Sequence, residues 1–271
     1  MDSCKGLTLL VTRPKPENAY FCQQIVQQGG IAISLPLIEI LPIKSTILPF
    51  EKKVISGFVF ISKPAVYHGF SFLINEYFAL SQQGLVLNDM ILYAVGKGSG
   101  ESLSELLRQR KQAALQSCDD QLELFLNKIQ IFFPVLAHGS EALLALPRLQ
   151  QVQDERWLII RGRGGLELLR DSLHHHGALV EYLEVYERKP VFIEPNKVRP
   201  LFLANKIDAI LISSGEILDC LCNALKACLS INEMNNVKSA EAWVLSERVA
   251  NLAKAQGFSR IKLFANSASI F

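Results

Sequence analysis

Nowhere does this sequence approach the roughly 18 consecutive apolar residues that a bilayer-spanning helix requires. The apolar run near its start, in MDSCKGLTLLVTRPKP, is also too short for a secretory leader. A cytoplasmic protein without a membrane partner is expected. An excess of one charge is missing too: 28 Lys and Arg face 26 Asp and Glu, for a net +2. That is too little to recruit nucleic acid, so no such partner is expected and any anion site must be built locally. There is no Cys-x-x-Cys pair. Cys4, Cys22 and Cys118 are scattered, and Cys220, Cys222 and Cys228 cluster without a histidine, so no metal site is expected and the cysteines read as reduced thiols. Neither a G-x-x-x-x-G-K-[ST] loop nor a G-x-G-x-x-G turn with its distal acid occurs, which weakens any nucleotide- or flavin-binding reading.

What is present is an alternation of short apolar runs with helical periodicity, the pattern of a parallel α/β sheet. Strands are expected at Leu7–Thr12, Ile31–Pro36, Gly57–Ser62, Asp89–Gly96, Ile129–Pro134, Arg156–Gly162, Ala178–Tyr186, Ile207–Ser214, Ala240–Ser246 and Arg260–Ala265. A helix over Pro16–Gln28 has prolines at its start and Gly29-Gly30 at its stop. His174, His175 and His176 end another helix before Gly177, where half-cationic side chains and a glycine suit a C-terminus better than a metal.

That many strands exceed one comfortable sheet, which favours two domains. Two proline-bracketed extended stretches, Leu35–Ser45 and Tyr182–Pro195, read as linkers. If they lie side by side, residues 1–36 join 188–271 in one discontinuous domain around an inserted domain, 42–181, with 37–41 and 182–187 as hinge strands.

The stretch LIIRGRGGLELLRDSLHHHGALVEYLEVY places Arg161, Gly162, Arg163, Gly164 and Gly165 between a strand and a helix. Glycines at such a turn let backbone N–H groups approach an anion at the positive end of the helix. Similar turns place Ser62 and Lys63, Gly96 to Ser99, Ser140, and Ser213 and Ser214 before helices. Each serine has a plain alternative as an N-cap worth about 1 kcal/mol, but open α/β sheets bind ligands at these strand ends. Arg13 and Arg248 sit where a guanidinium could pair with a carboxylate.

Six segments in order, LLVTRPKPENAYFCQQIVQQGGIAISLPLIEILP, YAVGKGSGESL, SEALLALPRLQ, LIIRGRGGLELLRDSLHHHGALVEYLEVYER, DAILISSGEILDCL and AWVLSERVANLAKAQGF, together resemble the uroporphyrinogen-III synthase family. The stretch from Gln109 to Ile131 is the least familiar and reads only as helix and loop of the inserted domain. The resemblance implies two flavodoxin-like parallel-sheet α/β domains joined by a two-stranded β hinge, with the active site in the cleft. It implies a lyase that closes hydroxymethylbilane to uroporphyrinogen III, with loss of water and inversion of ring D through a spiro intermediate. No metal or organic cofactor is implied. Tyr186 matches the family's EVY tyrosine and is either a proton donor to the departing hydroxyl or an aromatic fixing the hinge. The bilane is a polyanion, so Arg13, Ser62, Lys63, Gly96, Ser99, Ser140, Arg161, Gly162, Arg163, Gly164, Gly165, Ser213, Ser214 and Arg248 are its candidate contacts. A monomer, with transient contact to the enzyme that supplies the bilane, is the expected assembly. A non-catalytic anion-binding or regulatory module of the same fold is the alternative, separable by whether the protein produces the type III isomer.

Overall fold

The structure is a computed structural model that describes residues 4–44, 54–84, 89–135, 139–204, 206–265 and 267–271. Ser45 of the first linker, and Ala137 and His138 before Ser140, lie outside the described residues. The elements in chain order are β1 (Thr8–Val11), α1 (Glu17–Gln27), β2 (Ile31–Ser34), β3 (Ile38–Pro42), β4 (Gly57–Phe60), α2 (Lys63–Gln82), β5 (Ile91–Ala94), α3 (Lys97–Gln116), α4 (Asp120–Asn127), β6 (Gln130–Phe132) and α5 (Ser140–Leu144). They continue with β7 (Arg156–Gly162), α6 (Leu168–His175), β8 (Leu179–Pro190), α7 (Pro195–Ala204), β9 (Ala209–Ile212), α8 (Gly215–Cys228), α9 (Ile231–Lys238), β10 (Glu241–Val244), α10 (Glu247–Ala255) and β11 (Arg260–Leu263). The segment Gln109–Ile131 therefore resolves into the end of α3, all of α4 and most of β6.

The chain divides into two compact units, residues 1–40 with 188–271 and residues 41–187. In the first, the strand order β2-β1-β9-β10-β11 is parallel throughout. Counted within the unit this is 2-1-3-4-5, the flavodoxin order, whose switch point falls between β1 and β9. Alternate residues of each strand enter opposite layers: Leu10, Ile210, Ile212, Ala242 and Val244 pack under α8 and α10, and Leu9, Val11, Leu211 and Trp243 pack with Phe21 and Ile25 of α1. Burial on both faces is what turns these strands into continuous apolar runs.

The second unit has the parallel order β8-β7-β4-β5-β6, with β3 beside β8. Counted from its own first strand, β4, this is 3-2-1-4-5. The second sheet is thus doubly wound in a different order from the first, and its switch point falls between β4 and β7. Val59, Trp157 and Ile159 pack against Leu169 and Leu173 of α6; on the other face Phe58 meets Tyr77 of α2 edge to face.

The chain crosses between the units in β3 and β8, which are hydrogen-bonded neighbours. Val191 N–H donates to Leu37 O and Ile43 N–H donates to Val185 O, each at 2.9 Å. Residues 37–43 therefore run against 191–185, which sets 37–41 opposite 191–187. No helix among the described residues is long and apolar enough to cross a membrane.

Candidate active site

Because β4, β5, β7 and β8 are parallel, their C-terminal ends share one edge of the second sheet. Ser62 and Lys63 follow β4, Gly96 to Ser99 follow β5, Arg161 to Gly165 close β7, and Tyr186 lies in β8. Ligands of open α/β sheets bind at this kind of edge, near the switch point, and the β4–β7 switch point is where Tyr186 points. Its hydroxyl lies 3.1 Å from Ser62 Oγ, while the residue as a whole is only 2% exposed.

A β-bulge aims the tyrosine. Arg161 pairs with Glu184, but its neighbour Gly162 pairs with Tyr186, so Val185 is an extra residue in β8. Bulges are known to re-aim side chains next to functional sites. Here two consecutive residues reach the same helix: Val185 lies 3.3 Å from where a Cβ on Gly69 of α2 would stand, and the Tyr186 ring centroid is 6.1 Å from that of His68 on α2. Tyr186 also occupies the space above Gly162, since a Cβ there would lie 2.5 Å from the ring. Sequence reasoning located the tyrosine but missed the bulge, which leaves no signature in residue type.

The glycine-rich turn differs from expectation. Arg161 was a candidate for meeting a carboxylate from solution, yet it is 2% exposed and its guanidinium turns inward. Nε donates to Gly162 O at 3.2 Å, Nη1 to Glu167 Oε1 at 3.1 Å, and Nη2 to Gly164 O. The group also stacks 4.3 Å above the Tyr182 ring. The carbonyls of Gly162 and Gly164 thus face a guanidinium, the Arg163 N–H donates to Tyr186 O at 2.8 Å, and Glu167 stands at the N-cap of α6. A carboxylate docking there would meet another carboxylate. Gly164 and Gly165, at φ +73° and +108°, let the turn fold over Arg161, and of the amides expected as an open cradle from Gly162 to Gly165, that of Arg163 is taken by the Tyr186 carbonyl. The Tyr182 hydroxyl donates to Glu167 Oε2, and this bond, followed by Arg161 and Arg170, holds the Glu167 carboxyl below its usual range. Burial, reinforced by the bond to Glu167, pushes the Tyr182 phenol up. Glu167 and Tyr182 were not singled out in the sequence. Arg163 is exposed and faces Glu184 at 3.5 Å and Glu187 at 3.3 Å.

The N-terminus of α3 is the opposite case. Gly96 is its N-cap and supplies no side-chain acceptor, and no acidic residue occupies the first turn. The stem of Lys63 crosses this turn, with Cε 3.0 Å and Nζ 3.6 Å from where a Cβ on Gly98 would stand, so that glycine keeps the lysine close. Ser99, in the same turn, is buried.

The serines divide by role. Ser62 caps α2 by accepting from Ala65 N–H at 3.1 Å, and Ser214 caps α8 by accepting from Ile217 N–H at 3.3 Å. Ser99, Ser140 and Ser213 make no such cap bond among the described residues. Ser246, which sequence reasoning passed over, caps α10 through Val249 N–H. In the first unit Arg13 is paired with Glu17 at 2.6 Å and stacks 4.8 Å over Phe21. Ser213 and Ser214 follow β9, and Arg248 is exposed in the first turn of α10. His174 and His175 fill the last turn of α6 before Gly177, at φ +86°. No cluster that could hold a metal ion occurs among the described residues.

Comparison with known proteins finds relatives across most of the chain. A family model described as uroporphyrinogen-III synthase HemD matches residues 21–265. The uroporphyrinogen-III synthase of Escherichia coli is 25% identical over 261 residues, 96% of each chain. That of Proteus mirabilis is 30% identical over 186 residues, covering 67% of this chain and 80% of its own. Among solved structures, the uroporphyrinogen-III synthetase of Helicobacter pylori superposes with a TM-score of 0.55 at 14% identity, covering 97% of this chain and 96% of its own. A mutant uroporphyrinogen III synthase from Thermus thermophilus gives 0.54 at 12%, covering 98% and 96%. At these identities the two structures establish the shared fold.

Proposed function

The chain belongs to the uroporphyrinogen-III synthase family, a lyase family of tetrapyrrole biosynthesis whose activity it shares, and from that premise we propose how its own residues carry the reaction. The substrate is hydroxymethylbilane and the product uroporphyrinogen III. The hydroxyl of the first ring leaves as water, taking a proton from the Tyr186 phenol, and the resulting azafulvenium is attacked by the substituted α-carbon of the last ring to give a spiro intermediate. Fragmentation and reclosure invert that ring. The proton lost as the product regains its pyrrole character returns to the tyrosine, so the cycle closes with water as the only by-product.

One observation carries the reading: the Tyr186 hydroxyl lies at the switch point of the second sheet, 3.1 Å from a serine hydroxyl. A phenol with a hydroxyl partner can give up a proton and recover it. The uncapped start of α3, with Lys63, Gly96 and Ser99, is the carboxylate site we favour, because a helix N-terminus and a lysine both attract an anion. Arg248, Ser213 and Ser214 at the strand ends of the first unit, and Ser140, are further candidate contacts. Most of the work is geometrical, since the bilane closes unaided to the symmetrical type I isomer, and holding reacting atoms in register is what raises the rate of the other closure. We further read β3 and β8 as hinge strands, and the protein as a cytoplasmic monomer that receives the bilane by transient contact with the enzyme supplying it.

Incubating the protein with freshly generated hydroxymethylbilane and separating the oxidised isomers tests the assignment. Type III must exceed the spontaneous type I background in proportion to protein added. Type I alone would leave a binding module of the same fold.

A further inference from the structure

We infer that Arg161 is a positioning residue for the Tyr186 hydroxyl, an inference that rests on the role given to that phenol above. A buried guanidinium is costly unless its donors are satisfied, and the strand leading to it is filled by Leu158, Ile159 and Ile160, all buried. What the buried arginine contributes is what its donors organise. They gather Gly162 O, Gly164 O and Glu167 from one turn around a single planar group, stacked on Tyr182. The turn closes tightly enough that a Cβ on Gly165 would lie 3.0 Å from Nη2.

The same turn holds Tyr186 in two places. Arg163 N–H anchors the Tyr186 carbonyl at 2.8 Å, and Gly162 supplies the floor under the ring. Both contacts lie within two residues of Arg161, and both sit across the bulge that points the tyrosine at Ser62. If the turn relaxes, the ring keeps its burial but its hydroxyl loses its place, and a displacement of about 1 Å at a reacting group can cost on the order of a hundredfold in rate. Arg161 touches no reacting atom in this scheme and acts only through the turn.

The test is a double-mutant cycle on kcat and KM with hydroxymethylbilane. Arg161→Lys keeps the charge but replaces the planar fork with a point charge; it should lower kcat about tenfold and leave KM within twofold. In a Tyr186→Phe background the same substitution should cost less than twofold, because no hydroxyl remains to be placed. An unchanged kcat for Arg161→Lys, a raised KM at full kcat, or the whole tenfold loss persisting on Tyr186→Phe would each overturn the inference. Should Arg161→Lys fail to fold, Glu167→Gln on the half-exposed side of the network decides by the same cycle, with about threefold expected in the parent and none on Tyr186→Phe; equal losses in both would overturn it. Tyr186→Phe alone turning over at the parent rate would instead reject the role of the phenol, and so is distinguishable from failure of the positioning idea.

Discussion

A methyl group on Gly162 would stand 2.5 Å from both Cε2 and Cζ of Tyr186, so the identity of one residue in β7 determines whether the tyrosine of β8 can lie where it does. The ring is buried. Gly162→Ala should therefore cost about 1–3 kcal/mol of stability through overpacking and lower kcat at least tenfold by lifting the ring away from Ser62. Denaturant unfolding and steady-state rates check the two halves separately; a stable variant with full kcat would show that the ring position is immaterial to turnover.

Lys63 and the start of α3 bring a cation and a helix N-terminus together with no acid in the first turn. Lys63→Met should raise KM for the bilane several-fold with little change in kcat, and the parent's KM should rise with salt more steeply than the variant's, since screening removes what the lysine supplied. Equal salt dependence would assign the carboxylates to other turns.

The Glu167 carboxyl is held below its usual range in the folded protein, first by the Tyr182 hydroxyl and then by Arg161 and Arg170. Its folded pKa lies below its unfolded value of about 4.3, so its contribution to stability is complete above that value and is lost as pH falls through the folded pKa. The stability gap between the parent and Glu167→Gln should be largest near neutrality and should shrink in acid, closing as pH falls through the folded pKa. Urea unfolding across pH measures it, and a gap that widens in acid would contradict the network.

Gly164 differs from its neighbour. At φ +73°, with nothing within 4 Å of an added Cβ, its requirement is conformational and not steric. Gly164→Ala should cost about 1–2 kcal/mol, the penalty of a left-handed L-residue, and Gly164→Asn should recover part of it. A neutral Gly164→Ala would mean the turn can adopt another shape.

Strand positions were legible because buried parallel strands write themselves as apolar runs: Leu7–Thr12 contains β1 at Thr8–Val11, and Ile207–Ser214 contains β9 at Ala209–Ile212. Strand order was not, because the order of the second sheet depends on which side each crossover helix takes, and periodicity is blind to that. Tyr186, Ser62 and the α3 turn were expected from motif and strand-end logic, and they lie along the C-terminal edge of the second sheet. Arg161 was expected as a partner for a substrate carboxylate, and its guanidinium lies in its own turn; an arginine beside glycines looks the same in sequence in either setting, and only the acceptors of Gly162, Gly164 and Glu167 distinguish the two. The extra residue Val185 was equally hidden, since a bulge is a relation between two strands.

The most direct measurement is the rate at which Tyr186→Phe forms uroporphyrinogen III from saturating hydroxymethylbilane, taken with its melting temperature. The ring and its packing over Gly162 are preserved, and only the hydroxyl facing Ser62 is removed. The account predicts a melting temperature close to the parent's and a kcat lowered at least tenfold, as expected when a proton donor is removed. A well-folded Tyr186→Phe protein making type III at the parent rate would contradict it and leave Tyr186 as packing alone.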